Sequence, residues 1–317
     1  MRAIRLTVDG GAPKLVEENI PQPTPGTGEL LIRVRAAGIT PTELLWYPTS
    51  HNKNGEKRTG AVLAHEFSGS VAAVGEEITG FNTGQEVYGM NDWFSDGALA
   101  EYCLTEPAWV ARKPSGLTHA EAASVPIGAL TAWQGLFDRA DLQAGERVLV
   151  HGGAGAVGIF AVQLAKVRGA HVIATASARN LDFVSQLGAE MVIDYRAVHF
   201  EESVPKVDVV FDTVGGETFE RSWNVLKPGG RMITIVGEDD TTTDERKKKA
   251  FFIVEPNHQQ LAEISSLLEA GNLRPYVDMV LPLNQALEAY TGELRQRRGR
   301  GRLVAEILPS EGPRQPV

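Results

Sequence analysis

The stretch Arg147–Gly158, RVLVHGGAGAVG, decides the fold of this chain. A short apolar run, Val148–Val150, leads into glycines with the spacing Gly153-x-Gly155-x-x-Gly158, and a helical pattern follows. The first glycine permits a tight turn, the second lets backbone approach a phosphate, and the third lets the helix pack on the strand. This order predicts a dinucleotide site with the pyrophosphate at the helix N-terminus. A plain glycine-rich turn is the alternative.

Short apolar runs alternate with helical patterns around this loop. Residues 119–140 have a helical pattern with Pro126 as a kink or break, and residues 180–188 predict a helix that ends at Gly188. Strand-like runs cover residues 171–176, 191–195, 207–215, 231–237 and 250–257. Strands that alternate with helices predict parallel βαβ units and a doubly wound α/β sheet.

The first third of the chain is β-rich instead. Short β-like runs separated by glycine and proline turns predict a small barrel or sandwich, at residues 4–8, 29–39, 68–75, 86–90 and 99–105. The tail, from about Asn272, has two more strand-like runs and one helical pattern. We expect these end pieces to return to the first domain.

Composition and charge exclude several classes of protein. The 317 residues are 43% hydrophobic and 22% charged, which is typical of a globular protein. A net charge of −9 gives no global support for binding nucleic acid or an anionic membrane. No apolar run approaches the roughly 20 residues of a membrane span, and the N-terminus has no secretory pattern, so we predict a cytoplasmic protein. The single cysteine, Cys103, is expected to be buried in a strand.

Eight blocks of sequence carry a resemblance to a known family: AAGITPTE (36–43), VLAHEFSGSVAAVG (62–75), GALAEY (97–102), AASVPIGALTAWQGL (122–136), VLVHGGAGAVG (148–158), FDTVGG (211–216), LKPGGRMI (226–233) and GRGRLVAEI (299–307). Together they resemble the medium-chain dehydrogenase/reductase superfamily, in its zinc-independent quinone oxidoreductase and alkenal reductase branch. The resemblance implies a GroES-like β-rich catalytic domain, residues 1–121 and 258–317. A Rossmann NADPH-binding domain, residues 122–257, would be inserted within it, with the nicotinamide in the cleft.

The resemblance also points to a change at the position of the catalytic metal. Zinc alcohol dehydrogenases of this superfamily carry a cysteine where this chain has Thr40. A second zinc-ligand position matches His65, with Glu66 beside it. A catalytic zinc site needs about three protein ligands, so we expect no metal and activity that survives chelators; a weakly held ion is the alternative. Without a Lewis acid, reduction of an activated alkene or quinone is easier to support than alcohol oxidation.

Three residues are candidate catalytic side chains. Thr40 matches the place where quinone reductases carry an asparagine near the nicotinamide, and its hydroxyl can donate. His65 is a candidate donor to a developing oxyanion or a proton relay; alternatively, it fills the cleft wall beside a buried, hydrogen-bonded Glu66. Tyr47, with Trp46, would line the substrate mouth, where a flat aromatic wall suits a quinone or enone. The alternative is that both are core aromatics.

The end of the second Rossmann strand predicts which nicotinamide cofactor binds. NAD-specific proteins place an acid there, about 20 residues beyond the glycine loop, and residues 174–180 contain none. Ser177 can donate to a 2′-phosphate and Arg179 supplies positive charge; alternatively, Ser177 and Asn180 only cap the next helix. In related reductases the residue matching Tyr195 also contacts the 2′-phosphate. We therefore predict NADPH.

The resemblance implies further cofactor contacts. They are the loop residues Gly153, Gly155, Ala156, Val157 and Gly158, the nicotinamide-facing Thr131, the strand-end residues Val214, Val236 and Gly237, the stretch containing Phe251, Phe252 and Val254, and Arg302, which would reach a cofactor phosphate.

We predict an NADPH-dependent reductase that transfers hydride to a small molecule, either a quinone or an α,β-unsaturated carbonyl such as an alkenal or enone. The alternatives are a pathway-specific enoyl reductase acting on a thioester and a non-catalytic NADPH-binding protein with a structural or regulatory role. Relatives often pair through the Rossmann sheet edge, so we expect a homodimer through residues 250–254. The arginine cluster at residues 295–302 is interpreted as a solvated turn.

Overall fold

The structure is a computed structural model that describes residues 1–9, 12–237, 244–292, 294 and 299–308. The first part of the chain forms β1 (Arg2–Asp9), β2 (Ala12–Asn19), β3 (Leu30–Ile39), α1 (Tyr47–Ser50), β4 (Ala61–Val62), β5 (Glu66–Val74), β6 (Glu86–Met90), β7 (Tyr102–Thr105) and β8 (Val110–Arg112). The middle forms α2 (His119–Ala123), α3 (Pro126–Trp133), β9 (Arg147–Val150), α4 (Gly158–Val167), β10 (His171–Ala176), α5 (Leu181–Gln186), β11 (Met191–Asp194), α6 (Phe200–Ser203), β12 (Val207–Asp212), α7 (Gly216–Ser222), β13 (Leu226–Thr234), α8 (Glu245–Ala250) and α9 (His258–Glu269). The tail forms β14 (Val277–Pro282), α10 (Ala286–Thr291) and β15 (Arg302–Glu306).

The β-rich part is built on one seven-stranded sheet. Its path is β14-β15-β3-β5-β6-β8, and β7 also pairs with β3. Strand β15 runs antiparallel to β3 with Leu303 opposite Ile39, so the tail of the chain adds strands to the sheet formed by its first part. A separate sheet has the order β2-β1-β4. Strand β2 was not predicted, because charged residues obscure the alternation of this edge strand.

The middle of the chain forms the predicted doubly wound sheet. Its order is β11-β10-β9-β12-β13, and every neighbouring pair is parallel. The central strand β9 is buried on both faces. Val148 and Val150 pack with Phe160 of α4, whereas Leu149 packs with Phe200 and Phe219 on the opposite side. Helices on both faces explain why β9 reads as a continuous apolar run.

The helical stretch before the glycine loop breaks where the sequence predicts. Thr118 and Glu121 form a capping box that begins α2, and Pro126 begins α3 after a short interruption. Proline suits the first turn of a helix because the N–H it lacks would have no partner there. A π-helical segment, Gln134–Arg139, follows.

The prediction of a strand at residues 250–257 is wrong. Only Phe251 pairs with β13, by one parallel bridge to Thr234. Further along, both backbone groups of Glu255 bond to the side chain of Gln134, at 2.8 and 3.1 Å, instead of to a neighbouring strand. The chain here is extended but is held by a side-chain amide.

Helix α9 contacts both domains. Its buried residues Leu261, Ile264 and Leu268 belong to the same apolar cluster as Val148 of the Rossmann sheet, and that cluster also contains Tyr88 of β6. The domain boundary at 257/258 therefore stays a prediction. Across the described residues, no helix combines the length and apolar character that crossing a membrane requires.

His151 anchors the strand that leads into the glycine loop. It is fully buried; its Nδ1 lies 3.1 Å from Thr175 Oγ1 and its Nε2 3.0 Å from Ser222 Oγ. Its ring packs on Phe200 with centroids 4.5 Å apart. Burial, with a smaller effect of the Arg221 charge, lowers the pKa of His151 from 6.5 to about 3. The folded protein therefore holds this imidazole neutral.

A buried histidine that stays neutral makes the free energy of unfolding depend on pH. Below pH 6.5 the unfolded chain gains a proton on His151 that the folded chain refuses until about pH 3, so stability is lost as pH falls. We expect the free energy of unfolding to drop by about 2 kcal/mol between pH 6.5 and 5 from this residue. Urea unfolding at several pH values measures it. The dependence of the unfolding free energy on pH should become weaker in His151→Gln. It should be unchanged in His171→Gln, which alters an exposed histidine. An equal pH dependence in the parent and both variants would contradict the assignment to His151.

Candidate active site

The glycine loop has the form that the sequence predicts. A side chain at Gly158 would lie 2.1 Å from the carbonyl oxygen of Gly152, so the helix can begin this close to the strand only with glycine there. Gly152 N and Gly153 N donate to Oγ1 and the carbonyl of Thr175. Ala156 and Val157 lead directly into α4, where Ile159 N donates to Gly155 O at 3.1 Å and so joins the loop to the first turn of the helix. The strand, glycine turn and helix therefore occur in the order on which the prediction of a phosphate site rests.

The residues predicted for the 2′-phosphate follow two neighbouring strands. Ser177 comes directly after β10 and Tyr195 directly after β11, and Tyr195 N donates to Ala176 O at 3.2 Å. Arg179 and Tyr195 are exposed. Neither Ser177 nor Asn180 uses its side chain to cap the helix that it precedes. The capping alternative therefore does not account for these side chains.

Asp212 organises the end of the fourth strand, and the sequence analysis missed it. Its buried carboxylate accepts from Val214 N, Gly215 N and Thr234 Oγ1 at 3.0 to 3.2 Å. Burial raises the pKa of Asp212 above its ordinary value. The signal was an aspartate directly after an apolar strand and before two glycines. The carboxylate fixes the turn that exposes Val214, and a side chain at Gly215 would collide with Val236.

Some of the residues predicted beside the nicotinamide lie at the edge of the sheet, and others lie in the core. Gly237 lies next to the Phe251 ring: a Cβ atom placed on Gly237 would be 3.5 Å from that ring. Phe252 is instead buried in the core, under the Arg139 guanidinium at 5.3 Å. The backbone carbonyl of Val254 accepts from an indole N–H of the catalytic domain. Another predicted contact, Thr131, is buried in α3 and donates its hydroxyl to Ile127 O at 2.6 Å.

The segment Gly299–Arg302 crosses from one domain to the other. Gly301 N donates to Ala154 O of the glycine loop at 3.0 Å. Arg300 donates to Asn180 Oδ1 at 2.8 Å and to Arg179 O at 3.1 Å. Interpreting this region as a solvated turn is wrong for these residues. Arginines 295, 297 and 298 of the same cluster lie outside the described residues.

Arg302 lies elsewhere than the sequence analysis expects. Its guanidinium does not extend to the phosphate loop but into the catalytic domain, where Nη1 donates to Thr40 Oγ1 at 2.9 Å. Its Nε lies 2.5 Å from Glu66 Oε1, and Glu66 Oε2 accepts from Ile127 N at 2.8 Å. The reason is register: β15 pairs with β3, so Arg302 lies beside the end of β3, where Thr40 follows.

Glu66 is a fully buried carboxyl group in the site. It is 0% exposed, and a side chain at Gly38 would collide with it, so glycine makes room for the carboxylate. Burial raises the pKa of Glu66 to about 7, against the opposing effects of the Arg302 charge and the Ile127 N–H. The expectation of a buried, hydrogen-bonded Glu66 agrees with this geometry.

His65 belongs to a second buried network, centred on Glu43. Its Nδ1 lies 3.0 Å from Glu43 Oε2 and its Nε2 lies 3.2 Å from Ser95 O. Glu43 also accepts from Ala64 N and from the Tyr290 hydroxyl. Both ring nitrogens of His65 therefore face oxygen atoms of the protein. Glu43 lies in the quoted block AAGITPTE, but no local signal showed that its side chain turns inward.

Aromatic side chains line the region beside His65. Trp46 meets Trp93 edge-on with centroids 4.8 Å apart, and Trp93 lies 5.2 Å from the His65 ring. Trp93 Nε1 donates to Val254 O at 2.8 Å and so joins the two domains. Tyr47 is 56% exposed and stacks on the His51 ring, with centroids 4.5 Å apart. Sequence reasoning missed Trp93 because no pattern around residues 92–96 marked it.

Comparison with known proteins now identifies the family. Protein-family models match an alcohol dehydrogenase GroES-like domain at residues 26–115 and a zinc-binding dehydrogenase at residues 187–304. The chain belongs to the medium-chain dehydrogenase/reductase superfamily. Within it, the relatives place the chain in the quinone and alkenal reductase branch, and it is therefore an oxidoreductase.

Three relatives illustrate the likeness. A protein of Arthroderma benhamiae, described as a probable zinc-binding oxidoreductase of mitochondria, is 34% identical over 95% of both chains. The NADPH-dependent alkenal/one oxidoreductase of Arabidopsis thaliana chloroplasts is 32% identical over 97% of this chain and 83% of its own. The structure of a quinone oxidoreductase from Coxiella burnetii superposes with a TM-score of 0.84 at 30% identity, over 97% of this chain and 99% of the other.

The family includes zinc-binding members, so the donors of this chain must be tested against zinc. Thr40 accepts from Arg302, Glu66 is paired with that arginine, and both nitrogens of His65 face other oxygens. Cys103 is buried, and burial raises the pKa of its thiol. In the part of the chain that the structure describes, no three His, Cys, Asp or Glu side chains come together as a metal-binding group. These donors do not fit a catalytic zinc ion.

The hydrogen bond from Tyr290 tests the Glu43 network. Tyr290→Phe removes a donor to a buried carboxylate, and we expect the free energy of unfolding to fall by about 1–3 kcal/mol. Urea unfolding measures the change. Tyr47→Phe, which alters an exposed hydroxyl, serves as the control and should stay within about 0.5 kcal/mol of the parent. A Tyr290→Phe protein as stable as the parent would show that the hydroxyl does not support Glu43.

Proposed function

We propose that this protein is an NADPH-dependent reductase that transfers hydride to a quinone or an α,β-unsaturated carbonyl, without zinc. The observation that carries the proposal is the arrangement at the position of the catalytic metal. Thr40 there is a hydroxyl hydrogen-bonded to a buried arginine, at 2.9 Å. Such a site can stabilise negative charge on oxygen by hydrogen bonding, which suits an acceptor that is already electron-poor.

The cofactor-binding residues are proposed on two stretches of the Rossmann edge. The pyrophosphate would bind the loop from Gly153 to Gly158 and the first turn of α4. The 2′-phosphate would bind Ser177, Arg179 and Tyr195, and no acid at the end of β10 would repel it. When bound, the nicotinamide supplies the hydride. Thr131, the strand-end residues Val214, Val236 and Gly237, and Phe251 and Val254 are proposed to surround its ring.

Each group on the catalytic side then has a defined task. Trp46 and Trp93 provide flat apolar surface beside His65 for a conjugated acceptor. Thr40 donates to the carbonyl oxygen, on which charge accumulates as the β-carbon becomes saturated. His65, with both nitrogens facing protein oxygens, is proposed as part of the wall. Tyr47 is proposed at the outer mouth because it is exposed. Water supplies the final proton.

Two features of the assembly are also proposals. A homodimer through residues 250–254 is supported by the place of β13 at the edge of its sheet and by Ile253, which is 59% exposed beside it. An exposed apolar residue along a sheet edge favours pairing with another chain. A cytoplasmic location remains a prediction from the sequence.

An acceptor panel tests the proposed reaction directly. Protein dialysed against EDTA should consume NADPH with at least one quinone, enal or enone, since no metal takes part. Turnover would be followed by NADPH absorbance, with the Thr40→Val variant as the active-site control. Loss of activity on chelation and its return with Zn²⁺ would contradict the zinc-free part. Tight NADPH binding with no turnover on any acceptor would instead favour the non-catalytic alternative.

A single arginine tests the cofactor preference. Arg179→Ala should raise the KM for NADPH about tenfold, which corresponds to the loss of about 1.4 kcal/mol of charge-assisted binding. The KM for NADH should not change because NADH has no 2′-phosphate. Arg168→Ala removes an exposed arginine at the far end of α4 and is the matched control. An unchanged KM for NADPH in Arg179→Ala, or equal efficiency of the parent with both cofactors, would refute the preference.

A further inference from the structure

Arg302 is a buried cation whose full donor capacity the fold does not use. The residue is 6% exposed, and its charge is balanced by Glu66 at 2.5 Å. Burying an arginine is costly unless its partners are well placed. Yet within the described ranges the buried Nη2 has no hydrogen-bond partner, and Nη1 is directed at the hydroxyl of Thr40. Most buried polar groups are hydrogen-bonded, so an unused buried donor calls for an explanation.

The hydrogen bond from Arg302 fixes what the Thr40 hydroxyl can do. A hydroxyl has one hydrogen to donate and two lone pairs to accept with. Arg302 Nη1 occupies one lone pair, at 2.9 Å, and the Thr40 side chain does not cap the helical turn that it precedes. Thr40 is only half-buried, so its hydrogen remains available to a bound molecule. A hydroxyl that accepts from a cation is also a stronger donor, because chained hydrogen bonds polarise one another.

We propose that Arg302 is a positioning residue that holds and polarises Thr40, so that the Thr40 hydroxyl donates to the oxygen of the acceptor as charge develops there. This rests on the proposed reductase function. It replaces the expectation that Arg302 binds a cofactor phosphate. Glu66 keeps the guanidinium in place: one carboxylate oxygen meets Arg302, and the other accepts from Ile127 N at 2.8 Å.

The step balances without a proton from Arg302 or Thr40. The hydride brings two electrons to the β-carbon of an enone, the C=C π electrons move, and the carbonyl oxygen becomes an enolate oxygen. Thr40 shares its hydrogen with that oxygen but keeps it. Water then protonates the α-carbon, and the saturated carbonyl leaves. Arg302 stays charged throughout, since a guanidinium does not deprotonate in proteins.

A double-mutant cycle tests the coupling of Arg302 to Thr40. One change is Thr40→Val, which keeps the shape and removes the hydroxyl. The other is the pair Glu66→Gln with Arg302→Gln, which removes both buried charges together and leaves neither unpaired. We expect kcat for an enone to fall about 100-fold in Thr40→Val, the range found on removing one oxyanion donor. It should fall about tenfold in the paired variant, and no further when all three changes are combined.

Two further readouts separate positioning from general damage. The Kd for NADPH, measured by fluorescence titration, should stay within about twofold of the parent in every variant. The loss in kcat should be larger for an enone than for a quinone, because the anion formed from a quinone needs less stabilisation by a hydrogen-bond donor. Thr40→Ser should recover most of the enone activity. Arg5→Gln with Glu18→Gln removes another arginine–glutamate pair of the same domain, at 3.1 Å, and should change none of these values.

Each outcome decides the proposal. The proposal is overturned if the fold-losses in kcat of Thr40→Val and of the paired variant multiply when the changes are combined. It is also overturned if the loss in kcat is equal for the enone and the quinone. A raised Kd for NADPH in the paired variant overturns it in favour of a cofactor contact. If the paired variant does not fold, Arg302→Lys completes the cycle, since it keeps the charge but loses the fixed fork geometry. A parent protein that binds NADPH and reduces no acceptor overturns the proposed function, and this proposal with it.

Discussion

The buried carboxylate of Glu66 joins three separate parts of the chain. It meets Arg302 from the last strand, accepts from Ile127 N in the first turn of α3, and lies over Gly38 of β3. A carboxylate without water needs such partners, because its charge is otherwise too costly to bury. The requirement brings the C-terminal strand, the central strand of the catalytic sheet and a helix of the other domain to one point. The candidate active site lies beside that point.

Other contacts fix the two domains around the same cleft. Trp93 Nε1 donates to Val254 O, Tyr88 bonds to Leu261 O in α9, and Gly301 N donates to the glycine loop. One apolar cluster also contains residues of both domains. Because these contacts lie at several places along the boundary, the distance between the glycine loop and Thr40 is set by packing. A hydride can be transferred only over short distances, so this fixed geometry has chemical value.

Sequence patterns predicted what depends on neighbours along the chain and failed where partners are distant. The loop from Gly153 to Gly158, the alternation of strands with helices in the Rossmann part and the break at Pro126 all follow from local sterics and periodicity. Glu43, Trp93 and the true place of Arg302 depend on pairings between residues more than 20 positions apart. Arg302 illustrates the difference best. It precedes an apolar strand as an ordinary charged flank would, and only the β15–β3 register turns it inward.

The replacement of a thiolate position by Thr40 has a consequence for the kind of chemistry that the site supports. A metal ion can stabilise an alkoxide strongly, whereas a hydroxyl backed by a guanidinium offers one hydrogen bond and a nearby charge that Glu66 already balances. The electric field that such a site would exert on a substrate is therefore weaker than that of a metal ion, but it does not require a bound ion. An acceptor for the proposed reaction would therefore need its own electron-withdrawing conjugation. This difference in strength is the physical reason for proposing quinones and conjugated carbonyls, and not simple alcohols and ketones, as the acceptors.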